Sequence, residues 1–342
     1  MIIIMEPEAS ELQIQHVIDY AHNLDLKTIV NKGVVQTVIA AIGETNKYST
    51  EQFEAIDGVR TVQRIQVPFK LASRDSQHAD TVVTVRGNIK IGGNNPPVMI
   101  AGPCSVENQE NLIAIAKVAK ECGAKIIRGG AFKPRTGPRM FEGLGKLGLE
   151  YLDVARKETG LAVITELMDA RDLDMVAEFT DIIQIGARNM QNFTLLNELG
   201  RVKNPILLKR GLCATIDEWL LAAERIMDKG NTQVIMCERG IRTFDSKYTR
   251  NVADIAAIPL IRRLSHLPII FDPSHATGKW NLVSPLALAS LVAGAQGLIV
   301  EVHPDPEKAL SDGPQTLNFE NFRKLCKDIE KLMSVISPLK CN

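Results

Sequence analysis

Three residues of metal-ligating type stand just beyond apolar runs, Cys104 in GPCS, His275 in DPSH and Glu301 in VEVH, and a fourth, Asp312 in SDGP, lies in the loop after the last run. One thiolate, one imidazole and two carboxylates suit a divalent cation such as Zn²⁺, Mn²⁺, Fe²⁺ or Co²⁺. Their spacing follows no zinc-finger pattern, so only a fold that gathers the ends of those runs could assemble them. A second set is basic. Arg128 with Lys133 and Arg135, then Arg188, Lys209 with Arg210, and Arg239 also follow apolar runs. Clustered cations repel one another unless an anion neutralises them. Such a set calls for a ligand carrying at least one phosphate or carboxylate. Glu166, Gln184, Glu238, Asp272 and His303 occupy further run ends.

Each residue taken alone has a plainer reading. A cysteine after a strand is commonly a small buried side chain. His275 could be a cap or a loop residue. Arg128, Arg188 and Arg239 could form rim salt bridges to Glu166 or Glu238. Strand alternation could send Lys209 and Arg210 to opposite sides. Cys122, Cys213, Cys326 and Cys341 read as structural. Trp219 and Trp280 read as packing residues, although Trp280 is near enough to His275 in sequence to line the same mouth.

The elements that must position these groups are rhythmic. Short apolar runs recur at Val98–Ala101, Lys125–Arg128, Ala162–Thr165, Ile182–Ile185, Ile206–Lys209, Gln233–Cys237, Ile269–Phe271 and Gly297–Val300. Helical patterns separate them, the first after GPCSVENQENL, where Ser105 is a candidate N-cap. Eight strands alternating with eight helices from residue 98 onward predict a (β/α)₈ TIM barrel, typically ~250 residues, with chemistry at the C-terminal ends of its strands. A doubly wound sheet also alternates, but no G-x-G-x-x-G follows the first strand. The predicted barrel spans 98–342.

Residues 1–67 read differently. Ile2–Met5 is a strand, and Ser10 caps a helix with Leu12, Val17, Ile18, Ala21 and Leu24 on one face. Thr28–Val30 and Val35–Ile42 are strands, a short helix opens at Thr50, and Val59–Val67 is the last strand. This β-α-β-β-α-β order predicts a small α+β ferredoxin-like domain. Residues 68–97 read as a linker with a small hairpin around Gly87-Asn88.

Composition bounds the function. The chain has 342 residues, 45% hydrophobic and 23% charged, with Lys+Arg and Asp+Glu both 40. That balance offers no electrostatic case for nucleic acid or a membrane surface. No apolar run reaches the ~18 residues that span a bilayer. The opening MIIIMEPEAS is too short and too acidic for a signal peptide. Six cysteines without C-x-x-C spacing read as reduced thiols in a cytoplasm, where the sequon at Asn192 carries no weight.

The words GPCSVE, RGGAFKPRTGP, IGARNMQN, LLKRG, CERGIRTF, DPSHATG and VEVHPDPEKALSDGPQ resemble, in order, those of 3-deoxy-D-arabino-heptulosonate 7-phosphate (DAHP) synthases of the type I beta subfamily. Residues 1–67 look like the ACT-like regulatory domain of some members. The resemblance implies a transferase that condenses phosphoenolpyruvate with erythrose 4-phosphate, at the start of the shikimate pathway. It implies Cys104, His275, Glu301 and Asp312 as ligands of one divalent metal. Arg128, Lys133, Arg188, Lys209 and Arg239 would hold phosphoenolpyruvate, and Arg135 and Thr136 of KPRT the phosphate of erythrose 4-phosphate. Gly137 departs from the Ser of many members. Lys133 would be the general acid, with Glu166 and Glu238 candidates for positioning water. Homotetramers and inhibition by tyrosine or phenylalanine are further expectations, a bare oligomerisation role for residues 1–67 being the alternative. The sister 3-deoxy-D-manno-octulosonate 8-phosphate synthases show a KANR-type motif in place of KPRT and lack the N-terminal domain. A non-catalytic amino-acid sensor would have no reason to keep Cys104, Lys133 and His275 together.

Overall fold

The structure, a computed structural model, describes residues 1–33, 36–64, 67–134, 137 and 139–336. It divides into two compact units, Met1–Pro68 and Phe69–Asn342.

In the first unit, β1 (Ile2–Met5), α1 (Glu11–Asn23), β2 (Lys27–Lys32), β3 (Thr37–Ile42), α2 (Thr50–Glu54) and β4 (Val59–Gln63) follow in order. The strands form one antiparallel sheet, β2-β3-β1-β4, which is the split βαβ arrangement. Both helices start with a capping box, Ser10 with Gln13 and Ser49 with Gln52, which satisfies backbone N–H groups that a helix start leaves unpaired. The core joins Ile3, Met5, Ile39, Ala41 and Val62 of the sheet to Ile14, Val17, Ala21 and Phe53 of the helices. Leu12, expected on the buried helix face, is instead 83% exposed. The buried stripe is 14, 17 and 21, and a position two residues before Ile14 points about 200° away from it. Val35, Ile65 and Gln66, expected within strands, lie outside the described residues.

The second unit opens with a hairpin of β5 (Val83–Val85) and β6 (Ile89–Ile91). Gly87 and Asn88 turn it with φ of 72° and 60°, values that glycine and asparagine adopt at low cost. Eight parallel strands then close a barrel: β7 (Val98–Gly102), β8 (Ile126–Arg128), β9 (Ala162–Leu167), β10 (Ile182–Ile185), β11 (Ile206–Lys209), β12 (Val234–Glu238), β13 (Ile269–Phe271) and β14 (Gly297–Glu301). Helices α3 (Gln109–Glu121), α4 (Lys146–Thr159), α5 (Leu173–Phe179), α6 (Phe193–Glu198), α7 (Ile216–Asp228), α8 (Ala257–Leu264), α10 (Trp280–Val292) and α11 (Phe319–Val335) follow the strands, with a short extra helix, α9 (Pro273–Thr277). Residues 69–80 are tied to this unit. Arg74 donates to the carbonyls of Arg262 and Ser265, and Glu224 accepts from the Lys70 N–H.

Hairpin and barrel share a core. Val83, Val85 and Ile91 pack in one cluster with Val98, Ile126, Ala162, Ile182 and other residues near the N-terminal ends of the strands. The hairpin therefore floors the barrel and leaves the opposite mouth open. Two expectations are corrected. Asn108, not Ser105, caps α3, because Ser105 is still extended and bridges to Gly130 beside the end of β8. Trp280 does not line the mouth; it is 50% exposed over a separate cleft with Pro306 and Pro314. Trp219 is buried, its ring N–H donating to the Leu208 carbonyl. Among the described residues no helix is long and apolar enough to cross a membrane.

Ile91 has no exposure, so Ile91→Ala removes methyl groups from the barrel floor and leaves a cavity. Urea denaturation is expected to show a loss of about 2–5 kcal/mol.

Candidate metal and anion site

At the mouth lies a cleft of about 90 Å³, reached by Arg128, Lys133, Glu166, Gln184, Arg188, Lys209, Arg239, Arg250, His275 and Asp312. Each comes from a strand end or the loop behind it, because inward-facing positions at the C-terminal rim all converge on the barrel axis.

Local chain geometry sets the first wall. Beyond β7 and β8 the chain stays paired, with the Gly130 N–H donating to the Cys104 carbonyl and the Val106 N–H to the Gly130 carbonyl. A Cβ on Gly130 would stand 2.7 Å from the Lys133 side chain and 2.9 Å from the Cys104 carbonyl oxygen. Only glycine allows that approach. Lys133 Nζ thus donates to both the carbonyl oxygen and Sγ of Cys104, each at 3.1 Å. Arg128 Nη2 donates to the same carbonyl at 3.2 Å.

Cys104, Glu301 and Asp312 each offer a ligand atom, all within 4.8 Å of one another. The Cys104 thiol donates to Asp312 Oδ2 at 3.2 Å. His275 stands beside this trio, its Nε2 3.5 Å from Glu301 Oε1 and its Nδ1 2.8 Å from Asp272 Oδ2. Helix α9 places it: Asp272 caps that helix and accepts from the His275 N–H.

The donor set fits a cation. Glu301 Oε1 is buried and receives no hydrogen bond; Arg128 Nη1 lies 3.1 Å away but is not aligned to donate to it. Burial, then the neighbouring Glu301 charge, pushes the Cys104 thiol up to about 12. It becomes a thiolate only when a strong cation displaces its proton. Burial lowers the pKa of His275, which keeps the imidazole neutral as a ligand must be. Burial alone would raise Asp272 and Asp312. Lys209 with the His275 backbone N–H at Asp272, and Arg250 with the Cys104 thiol at Asp312, help to hold both carboxylates below the usual range, so both stay ionised.

The basic wall is charged for the same reason. Burial opposes the Lys133 ammonium, but Cys104, Glu166 and Glu301 outweigh it and raise its pKa. Lys209 pairs with Asp272. Arg239 is buried, which pulls its pKa down, and Arg188 stands exposed at the rim. Arg135 and Thr136 lie outside the described residues.

Glu166 reaches the cleft and accepts from Gln184 Nε2 at 3.2 Å. Glu238 does not line it. Arg210 Nη1 and the Gly240 N–H hold that carboxylate, and Asp254 shares the same guanidinium. Lys209 therefore points in and Arg210 out, as strand alternation requires. His303 is likewise turned away, towards Glu107. Two residues escaped the sequence reading. Arg250 lies in the long β12–α8 loop, and Gln315 follows Asp312 in a tight turn. Neither marks a strand end, although a loop of that length after a rim strand is itself a signal.

Residues 74–336 match the family described as "DAHP synthetase I family", and residues 1–67 match "DAHP synthase ferredoxin-like domain". A Thermotoga maritima protein named "Phospho-2-dehydro-3-deoxyheptonate aldolase" is 50% identical over 336 residues, 98% of each chain. A crystal structure of a Thermotoga maritima DAHP synthase superposes with a TM-score of 0.92 at 50% identity, covering 97% of both chains. A "2-dehydro-3-deoxyphosphooctonate aldolase" of Syntrophotalea carbinolica is 30% identical over 267 residues, 73% of this chain and 95% of that one. With residues 74–336 and 1–67 both matched by models of this family, the chain belongs to the DAHP synthetase I family.

Proposed function

We propose that this chain condenses phosphoenolpyruvate with D-erythrose 4-phosphate and water, giving DAHP and inorganic phosphate, the first step of the shikimate pathway towards the aromatic amino acids. The observation that carries the reading is the pairing, in one cleft, of a buried cationic wall with a thiol–carboxylate–imidazole group. Phosphoenolpyruvate brings a carboxylate and a phosphate. Arg128, Lys133, Arg188, Lys209 and Arg239 supply fixed positive charge for both, without reorganisation at the moment of reaction. Arg135 and Thr136 are proposed for the aldose phosphate.

Cys104, His275, Glu301 and Asp312 would hold one divalent cation, Mn²⁺, Fe²⁺, Co²⁺ or Zn²⁺, which when bound supplies a Lewis acid for the aldehyde oxygen. The enol carbon of phosphoenolpyruvate uses its π pair to bond to the aldehyde carbon. The aldehyde oxygen takes a proton from Lys133, whose raised pKa keeps it loaded. Water adds to the adjacent cationic carbon, with Glu166 positioning it and receiving its proton. The new hydroxyl oxygen then forms the C=O bond as the bond from that carbon to the phosphate oxygen breaks, and the hydroxyl proton leaves with the released phosphate.

Residues 1–67 are proposed as the regulatory domain, 68–97 as the connecting segment and 98–342 as the catalytic barrel. Inhibition by tyrosine or phenylalanine, a homotetramer and a cytoplasmic setting belong to the same reading. A partner nucleic acid or membrane has no support in the neutral charge balance. The octulosonate reaction is the second reading, favoured by the Syntrophotalea carbinolica relative and opposed by KPRT at 133–136.

Protein stripped with a chelator is expected to consume phosphoenolpyruvate with erythrose 4-phosphate only after Mn²⁺ is returned. Full activity without metal would remove the four-residue set from the reaction. Turnover with arabinose 5-phosphate alone would favour the octulosonate reading, and none with either sugar would favour a sensor. A Cβ on Gly186 would stand 2.0 Å from Glu166 Oε1. That oxygen ends a flexible side chain, so Gly186→Ala is expected to fold normally yet displace Glu166. Steady-state kinetics should show kcat falling about 10²-fold or more, with a smaller change in KM for phosphoenolpyruvate. Added tyrosine or phenylalanine should slow turnover and leave a tetramer on gel filtration; an unchanged rate and a monomer peak with either would sink the regulatory reading.

A further inference from the structure

Glu301 sits at the centre of the site with no exposure, and its two oxygens are treated differently. Oε2 accepts from Gln315 Nε2 at 2.6 Å. Oε1 is buried without a hydrogen bond, facing His275 Nε2 and Arg128 Nη1. Gln315 is itself buried, at 2%, and its amide orientation is determined. Arg250 Nη1 donates to Gln315 Oε1 at 3.1 Å, which obliges the NH₂ group to point at Glu301. The same Arg250 nitrogen stands 3.5 Å from Asp312 Oδ1. Asp312 and Gln315 share one turn, closed by the Gln315 N–H on the Asp312 carbonyl, and Asp312 adopts φ of 52°, a region that non-glycine residues seldom occupy. Arg250 enters from a different loop and clips both.

We infer that Gln315 is a positioning residue for the metal centre: its amide commits one oxygen of Glu301, so that Oε1 alone is presented to the cation, while Arg250 holds that amide in register. The inference rests on the metal set proposed above. A carboxylate free to rotate, or to offer both oxygens, would lose the single geometry in which it meets Cys104, Asp312 and His275. Such supporting hydrogen bonds are worth about 10–100-fold in metal affinity.

The test uses the full chain, stripped and titrated with Co²⁺ against a chromophoric chelator, with the Co²⁺ visible spectrum recorded at saturation. Gln315→Met keeps the volume and removes both hydrogen bonds. It is expected to bind Co²⁺ about 10–100-fold more weakly and to change the intensity of the ligand-field bands, which a general loosening of the fold would not do at saturation. Arg250→Met, at a half-exposed position, should move affinity and spectrum in the same directions by less. Parent-like affinity and spectrum in a folded Gln315→Met would overturn the inference. Should that variant not fold, parent-like values in Arg250→Met overturn it instead. Absence of Co²⁺ binding by the parent would sink the metal set and this inference together. Binding by the parent with unaltered variants would sink this inference alone.

Discussion

The buried carboxylates Glu301 and Asp272, neither with any exposed surface, are what the barrel mouth is organised around. An isolated buried carboxylate is costly unless partners compensate it. Asp272 pairs with Lys209, accepts from the backbone N–H that it caps and stands 2.8 Å from His275 Nδ1. Glu301 accepts a hydrogen bond on one oxygen, while the other receives none and has Arg128 Nη1 3.1 Å away as its charge partner. Oε1 is thus a free acceptor beside the ligand atoms of Cys104 and Asp312. It lies beside a thiol whose proton only a strong cation can displace, and beside an imidazole that burial keeps neutral.

Positive charge beyond those partners faces the cleft. Arg128, Lys133 and Arg239 are all buried, and together with Arg188 they exceed what the local carboxylates need. A small cleft walled by buried side chains strengthens each interaction with an anion. In the proposed chemistry the substrate phosphates and carboxylate would meet these bases and the aldehyde oxygen the metal side, with Lys133 beside Cys104. Close approach at Gly130 and Gly186 is what brings Lys133 and Glu166 into that space.

The two units solve separate problems. The barrel is floored by a hairpin whose apolar residues merge with the barrel core, so its rigid end lies opposite its reactive end. The N-terminal unit keeps its own core around Ile3, Met5, Ile39 and Phe53. With ~67 residues it buries modest apolar surface by itself.

The sequence by itself determined the order of elements, because period and turn chemistry are local: the alternation from residue 98, the hairpin at Gly87-Asn88 and the helix starts at Ser10 and Thr50 are all visible without a fold. It also marked Cys104, Arg128, Glu166, Lys209 and Glu301 as rim residues, because each ends an apolar run. Direction was not visible. Glu238 and Arg210 satisfy the same rule as Glu166 and Lys209, yet they pair with each other away from the cleft, since one residue along a strand reverses the side chain. Leu12 failed for the helical analogue of that reason, and Ser105 because pairing with Gly130 kept it extended past the expected helix start. Arg250 and Gln315 were invisible for a different cause. Their importance lies in hydrogen bonds to residues 65 and 14 positions away in the chain. Only the closed barrel brings those loops within reach of one buried carboxylate.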